Sequence, residues 1–127
     1  MNKYHSKKVT TAEGTFDSRK EYNRWCQLKL LVRAGRIADL ERQVPFELVP
    51  SQYETFPRVS PVTGKRLKDG RRCIEKSVVY NADFCYTDTA TGEKVVEDTK
   101  SPVTRTKDYI IKRKLMLHVY GIRIREV

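Results

Sequence analysis

The chain carries YNADFCY at residues 80–86 and VVEDTK at residues 95–100, and both stretches are rich in the Val, Tyr and Phe typical of β-strands. A polar turn with one glycine separates them, so together they predict a hairpin with an aspartate on each strand. Side chains alternate along a strand, which places Asp98 and Lys100 on one face and excludes Glu97 from it. Two carboxylates and a lysine on neighbouring strands are a set that can hold a divalent metal beside a water molecule.

Further elements are predicted on both sides of this hairpin. Asp17 and Ser18 open a helix that runs to about Ala34, and Gly35 stops it. The other elements are a first strand at residues 37–49, hairpin strands at 78–86 and 94–100, a helix at about 105–120 and a last strand at 122–127. Pro45 argues that the first strand is an edge strand or contains a bulge. The predicted fold class is α/β (α+β), in the order α-β-β-β-α-β, with a mixed sheet flanked by helices.

Length and charge restrict the function. The 127 residues predict a single domain, and 26 Lys and Arg against 16 Asp and Glu give a net charge of +10. This balance favours a polyanionic partner, with nucleic acid first and an anionic membrane surface second. A solvated basic surface is the plain alternative, and charge alone does not separate DNA from RNA.

Two segments carry much of this positive charge. Residues 1–14 predict a basic arm, disordered at its start, and residues 50–76 predict a long irregular loop because prolines and glycines punctuate them. Lys112 in the second helix adds a further cation. The candidate nucleic-acid contacts in the loop are Lys65, Arg66, Lys68, Arg71 and Arg72.

Other residue types exclude some classes of protein. The three cysteines and two histidines are scattered, which argues against a structural zinc site and favours reduced thiols in a cytoplasm. The polar N-terminus predicts no signal peptide. No stretch approaches the roughly 20 apolar residues of a membrane span, so no membrane partner is expected.

Each candidate acid also has a purely structural interpretation. Glu21 lies on the same helical stripe as Trp25 and Leu28, so it points with the buried face, but it also completes a capping box with Ser18. Asp83 alone fits a charge that protects a sheet edge from aggregation. Asp98 and Lys100 alone fit a solvated ion pair.

The acids together form a pattern that single residues do not. A helix Glu, a strand Asp and an acid-x-Lys on the partner strand resemble the PD-(D/E)XK nuclease superfamily. More closely, the chain resembles a small phage- and prophage-encoded nuclease-like family catalogued as a domain of unknown function. The resemblance runs from about residue 3 to the end, and its matching segments are residues 16–21, 40–43, 80–84, 96–100 and 112–115. Ala82 stands where the superfamily motif has Pro.

The resemblance implies a restriction-endonuclease-like core and a role for each residue of the pattern. Asp83 and Asp98, with the backbone carbonyl of Thr99, would bind Mg²⁺ or Mn²⁺, for which oxygen ligands are suited. Glu21 would hold a second metal or a metal-bound water, with Gln43 as a supporting partner. Lys100 would orient the attacking water or stabilise charge on the phosphate.

The leading hypothesis is a metal-dependent DNA endonuclease of phage or prophage origin, acting in the cytoplasm of a bacterial host. Recombination, replication and DNA packaging are the processes it fits, and a junction resolvase is the favoured version. Two symmetric cuts would require a homodimer. The alternatives are a non-catalytic basic module that binds nucleic acid and a basic structural protein that binds RNA.

Overall fold

The computed structural model describes residues 7–127, and these residues form two helices and eight strands. The helices are α1 (Arg19–Arg33) and α2 (Lys107–Tyr120). The strands are β1 (Val9–Thr11), β2 (Gly14–Phe16), β3 (Ile37–Val49), β4 (Gln52–Val59), β5 (Arg66–Glu75), β6 (Val78–Asp88), β7 (Lys94–Asp98) and β8 (Arg125–Glu126). The predicted mixed α and β fold class is confirmed. The predicted element order holds for the helices and the main sheet, as α1-β3-β6-β7-α2-β8, but β1, β2, β4 and β5 were not predicted.

The main sheet has four strands in the order β3-β6-β7-β8. The first three are antiparallel, whereas β8 runs parallel to β7 because α2 carries the chain across the sheet between them. As an edge strand with two register shifts, β3 tolerates Pro45, which lacks a backbone N–H. The last strand is shorter than the predicted 122–127, since only Glu97 and Asp98 of β7 pair with it.

The two helices cover opposite faces of this sheet. Val96 belongs to a core cluster with Met116 of α2, whereas its neighbour Val95 packs with a second cluster that contains Leu28 of α1. Neighbours on a strand point to opposite faces, so the chain has one apolar layer on each side of the sheet. Neither described helix is long and apolar enough to cross a membrane.

Local sequence signals set the helix ends. The Ser18 hydroxyl accepts a hydrogen bond from the Glu21 backbone N–H at 3.1 Å, which caps α1. Beyond the helix, Gly35 adopts a positive φ of 73°, a conformation that glycine takes without strain. Thr106 caps α2 in the same way, so this helix begins at Lys107, later than the predicted 105.

The prediction of an irregular loop at residues 50–76 is wrong, because most of this segment forms the antiparallel hairpin of β4 and β5. The prolines and glycines that predicted a loop have other roles in the hairpin. Pro57 lies at a register shift between Phe56 and Arg58, and Gly70 leaves the space that the Phe56 ring occupies. This hairpin is a separate two-stranded sheet.

The predicted basic arm at residues 1–14 is also partly structured. Val9–Thr11 pairs with Gly14–Phe16, and Glu13 between them accepts hydrogen bonds from Trp25 and Lys29 of α1. The predicted disorder at the start of the arm falls on residues 1–6, which lie outside the described residues.

Candidate active site

Two aspartates from neighbouring strands meet where β7 ends. Asp98 is the last residue of β7, and Asp83 lies in the middle of β6. The Thr99 backbone N–H donates to Asp83 Oδ2 at 2.8 Å, and the Tyr80 hydroxyl donates to Asp98 Oδ2 at 2.6 Å. Asp98 is only 3 % exposed. The hairpin predicted from residues 80–100 therefore brings its two carboxylates together.

Strand β6 changes its side-chain alternation at Asp83. The sequence predicts that Tyr80, Ala82, Phe84 and Tyr86 share a face, and this prediction is wrong. Tyr80 and Ala82 pack in the α2 layer, whereas Phe84 and Tyr86 pack in the α1 layer.

The partner strand is irregular at the same level. Gln43, between the residues paired with Ala82 and Phe84, has a positive φ of 50°, which is rare for a residue other than glycine. The irregularity turns Gln43 and Asp83 towards each other, and Gln43 Nε2 lies 3.5 Å from Asp83 Oδ1.

Glu21 joins this cluster from α1 and is 2 % exposed. Its Oε1 accepts a hydrogen bond from Gln43 Nε2 at 3.1 Å, so one amide links it to Asp83. Its Oε2 accepts from the Asp17 backbone N–H at 3.1 Å, where the capping box predicts the N–H of Ser18. Glu21 therefore supports the start of the helix and lies beside the aspartates as well.

The electrostatics of the cluster favour a cation. Burial, then the hydrogen bond and charge of neighbouring Asp83, raise the pKa of Asp98 to about 8. Burial, followed by the charge of Asp83, raises the pKa of Glu21 to about 7. Buried carboxyl groups whose pKa a neighbouring carboxylate raises further are frequent at functional sites.

Lys100 is the one lysine that reaches the acids among the described residues. Its Nζ lies 3.5 Å from Asp98 Oδ1 and 4.3 Å from the centre of the Tyr109 ring. The main chain around it is fixed, because the Lys20 side chain donates to the Lys100 carbonyl at 2.8 Å. The alternation predicted for Asp98 and Lys100 thus gives a close pair, although β7 itself ends at Asp98.

Glu97 belongs to a different cluster on the α1 side of the sheet. Arg24 donates to its two oxygens at 2.8 and 2.7 Å, and Tyr86 donates to it as well. This buried pair ties α1 to β7.

The oxygen atoms present fit Mg²⁺ or Mn²⁺. Within residues 7–127 no three His, Cys, Asp or Glu side chains form a complete metal site by themselves. Asp83 and Asp98 supply two carboxylates, and Thr99 follows Asp98 directly with its backbone carbonyl. The Thr99 hydroxyl is buried and has no hydrogen-bond partner among the described residues. All of these donors are oxygens, which are the ligands that both ions prefer.

A basic cleft of about 470 Å³ opens beside Thr99. Arg19, Lys20 and Asn23 from the first turns of α1 line it. The sequence interpretation missed this cleft, because its residues look like an ordinary solvated helix face until Thr99 is placed opposite them. Of the candidate site residues, Thr99 lines this cleft, and Glu21, Asp83 and Asp98 do not.

Tyr80 was also missed. It lies three residues before Asp83, and a regular strand would send the two side chains to opposite faces. Only the change of alternation at Asp83 allows Tyr80 and Asp83 to reach Asp98 together.

The other predicted contacts lie on α2 and on the β4–β5 hairpin, which do not carry the acids. Lys112 is half-buried on α2. The five cations of the former loop are exposed on β5 or directly before it: Lys65, Arg66, Lys68, Arg71 and Arg72. The structure brings Glu21, Asp83, Asp98, Thr99 and Lys100 together and leaves the basic hairpin separate from them.

No curated protein and no solved structure matches the chain. A family model described as "Protein of unknown function (DUF1064)" matches residues 1–125. This match spans nearly the whole chain, so the protein belongs to the DUF1064 family.

Proposed function

We propose that this protein is a metal-dependent DNA endonuclease that hydrolyses phosphodiester bonds. The observation that carries the proposal is the pair formed by the buried Asp98 and the half-buried Asp83, with Lys100 Nζ 3.5 Å from Asp98. The order helix Glu, strand Asp, strand Asp-x-Lys, joined in space through Gln43, supports membership of the PD-(D/E)XK superfamily with its restriction-endonuclease-like core.

Each residue has a role that follows from its surroundings. Asp83, Asp98 and the Thr99 carbonyl would hold Mg²⁺ or Mn²⁺, with Glu21 at a second position. When bound, the metal would lower the pKa of a coordinated water and neutralise phosphoryl oxygens.

The protein groups position the reactants. Tyr80 fixes one oxygen of Asp98, and the Thr99 N–H fixes one oxygen of Asp83, so the remaining oxygens face the site in a set orientation. Lys100 is the cation available to stabilise negative charge that builds on the phosphate.

The basic cleft next to Thr99 supports a nucleic-acid substrate. Arg19 and Lys20 line it together with Thr99, the residue after Asp98, and these two cations would bind phosphate groups of a strand lying there. We propose DNA as the substrate, phage or prophage recombination, replication or packaging as the process, and the bacterial cytoplasm as the location. Junction resolution is the favoured version, and it requires a homodimer to make paired cuts.

A nuclease assay tests the proposal directly. Linear duplex, single-stranded and four-way branched DNA are incubated with the purified protein in Mg²⁺, Mn²⁺ or EDTA. Cleavage is expected with either metal and not in EDTA.

Asp83→Asn and Asp98→Asn should abolish cleavage but bind DNA as well as or better than wild type, because each removes a metal ligand and a negative charge near the phosphate. Full activity in either folded variant would remove these residues from the mechanism.

A non-catalytic nucleic-acid-binding module is the second candidate. The exposed cations of the β4–β5 hairpin favour it, since they lie apart from the acids. This candidate predicts binding that is insensitive to Mg²⁺ and to both aspartate substitutions, with no cleavage of any substrate.

A further inference from the structure

The β4–β5 hairpin is exposed on both faces, and only Phe56 and Gly70 of its strands are partly covered. An isolated two-stranded hairpin is marginally stable in water, so its own side chains must support it. Arg71 stacks 3.6 Å from the centre of the Tyr53 ring, and Arg72 lies 4.5 Å from that of Phe56. Arg71 and Arg72 are neighbours on one strand, so both faces of the hairpin carry an arginine on an aromatic ring.

The charges of the hairpin divide into paired and unpaired cations. Arg72 pairs with Glu54 at 2.9 Å, and Arg66 pairs with Asp69 at 3.2 Å. Among the described residues, no carboxylate lies within ion-pair distance of the remaining cations, which are Arg58, Lys65, Lys68 and Arg71. This excess of positive charge opposes docking of a second copy and favours a polyanion.

The tip of the hairpin is an ordered turn with an apolar side chain at its end. The Ser60 N–H donates to the Lys65 carbonyl at 2.8 Å, and the Ser60 hydroxyl accepts from the N–H groups of Val62 and Thr63 at 3.3 and 3.2 Å. Val62 is 90 % exposed. A fixed turn that holds an aliphatic side chain in water suits contact with a partner, and small apolar side chains contact or unstack bases in DNA grooves.

A two-stranded ribbon fits the major groove of duplex DNA. The major groove of B-DNA is about 12 Å wide and admits a two-stranded ribbon, and its walls are lines of phosphates. A hairpin that enters tip-first presents one face to each wall, so cations on both faces find phosphates. Its base at Val78 is five residues from Asp83 on β6, about 17 Å at 3.3 Å per residue. The hairpin therefore contacts the duplex at a distance from the acids.

We infer that the β4–β5 hairpin is a finger that enters a groove of duplex DNA, with Val62 against the bases and the unpaired cations on the phosphates. The inference rests on the proposed function only in taking DNA as the ligand. It assigns recognition of double-stranded DNA to a segment outside the acid cluster.

The test is equilibrium binding in EDTA, where no cleavage occurs, to a fluorescent duplex and to a single strand of the same length. Val62→Ser should weaken duplex binding by about tenfold, as expected for an apolar side chain that loses its burial, and leave the salt dependence unchanged. Lys65→Ala should reduce the slope of log affinity against log salt by about one. Both side chains are exposed, so thermal melting should match wild type.

Arg33→Ala is the matched control. Arg33 is an exposed cation in the last turn of α1, beside the start of β3, whereas the hairpin follows the end of that strand. Its loss changes the net charge as Lys65→Ala does, and duplex binding should stay within about twofold of wild type.

Three results would overturn the inference. The first is wild-type duplex binding by both hairpin variants. The second is an equal loss on duplex and single strand. The third is a dimer by sedimentation that Val62→Ser dissociates, which would make the tip a contact between copies. If the wild type cleaves DNA and the variants bind it normally, the role of the hairpin is refuted and the nuclease proposal is not. If the variants bind duplex DNA more weakly but the wild type cleaves no substrate, the nuclease proposal alone is refuted.

Discussion

Asp98 is closed off from water, with Tyr80 on one oxygen and Lys100 near the other. A single lysine does not balance the charge that Asp83 and Asp98 carry when both are ionised. Burial is the main cause that raises the pKa of Asp98, and the hydrogen bond and charge of Asp83 raise it further. At the scale of the residue, we therefore expect this site to bind a divalent cation.

The pH dependence of stability follows from the same carboxyls. Folding raises the pKa of Asp98 from 3.8 to about 8 and that of Glu21 from 4.5 to about 7. For each group, at a pH between its unfolded and its folded pKa, the folded state binds more protons than the unfolded state. The metal-free protein should therefore lose stability as pH rises towards 8. Urea unfolding in EDTA at several pH values measures this loss.

Asp98→Asn is the comparison for this prediction. The variant lacks the main titrating group. Its free energy of unfolding should therefore fall less than that of the wild type between pH 5 and 8. Adding Mg²⁺ should stabilise the wild type more at pH 8 than at pH 5, because metal binding competes with protons. Parallel wild-type and variant curves would contradict the assignment of the shift to Asp98.

Single residues mark the limit of prediction from sequence at this scale. The acids and Lys100 were found because their types and spacing are unusual together. The resemblance implied Gln43 as a supporting partner, but the place of Tyr80 depends on the irregularity at Asp83, which no two-residue period indicates. Alternation predicts a side chain's face only as long as the ladder stays regular.

At the scale of the element, the start of α1 has two functions. Ser18 caps the helix, and Glu21 one turn later accepts from Asp17 and from Gln43. The capping pattern in the sequence predicted the helix start correctly. It did not show that the same carboxylate reaches the strand aspartates.

Glu21→Gln separates the two functions. A glutamine keeps one acceptor for the hydrogen bonds at the helix start, so stability should change by no more than about 1 kcal/mol. It is a poorer metal ligand, so cleavage should drop sharply. Thermal melting and the cleavage rate are measured on the same preparation. A variant that melts and cuts like wild type would return Glu21 to a capping role only.

The β4–β5 hairpin depends on a close contact at Gly70. A Cβ atom there would overlap the Phe56 ring and lie 2.9 Å from Arg58 Cδ. Gly70→Ala should therefore loosen the hairpin, seen as faster amide exchange in residues 50–76, and leave the main sheet protected. The described core contains no side chain from this segment, so the melting temperature should change by less than about 2 °C. A large drop in melting temperature would show that the hairpin supports the core.

At the scale of the whole molecule, we predict that positive charge sets the affinity for DNA. Neutralising Lys65, Arg66, Lys68, Arg71 and Arg72 together should flatten the salt dependence of DNA binding. Two of these arginines are already paired with carboxylates, so a slope change of about three is expected rather than five. With saturating protein, single-turnover cleavage should remain close to wild type. If the slope of log affinity against log salt is unchanged, these residues form a solvated surface and do not contact DNA.

The sequence predicted the main sheet and its helices well, because their periods of two and 3.6 extend over long segments. Strand β3 has the predicted bounds, 37–49. The hairpin at 52–75 was missed because its polar, exposed strands lack a buried face that would produce alternation. A two-stranded ribbon without a core below it leaves little trace in the hydrophobic pattern.

The hairpin leaves and rejoins the main sheet through one cross-strand pair, Val49 and Val78. A segment attached at a single rung can be lengthened, shortened or exchanged while the rest of the sheet keeps its register. The sequence and length of the hairpin can therefore vary in evolution without a change in the acids and lysine that lie further along the chain, on β6, at the end of β7 and just after it. An engineer could therefore replace the segment between Val49 and Val78 with hairpins of different length and charge and keep the main sheet unchanged.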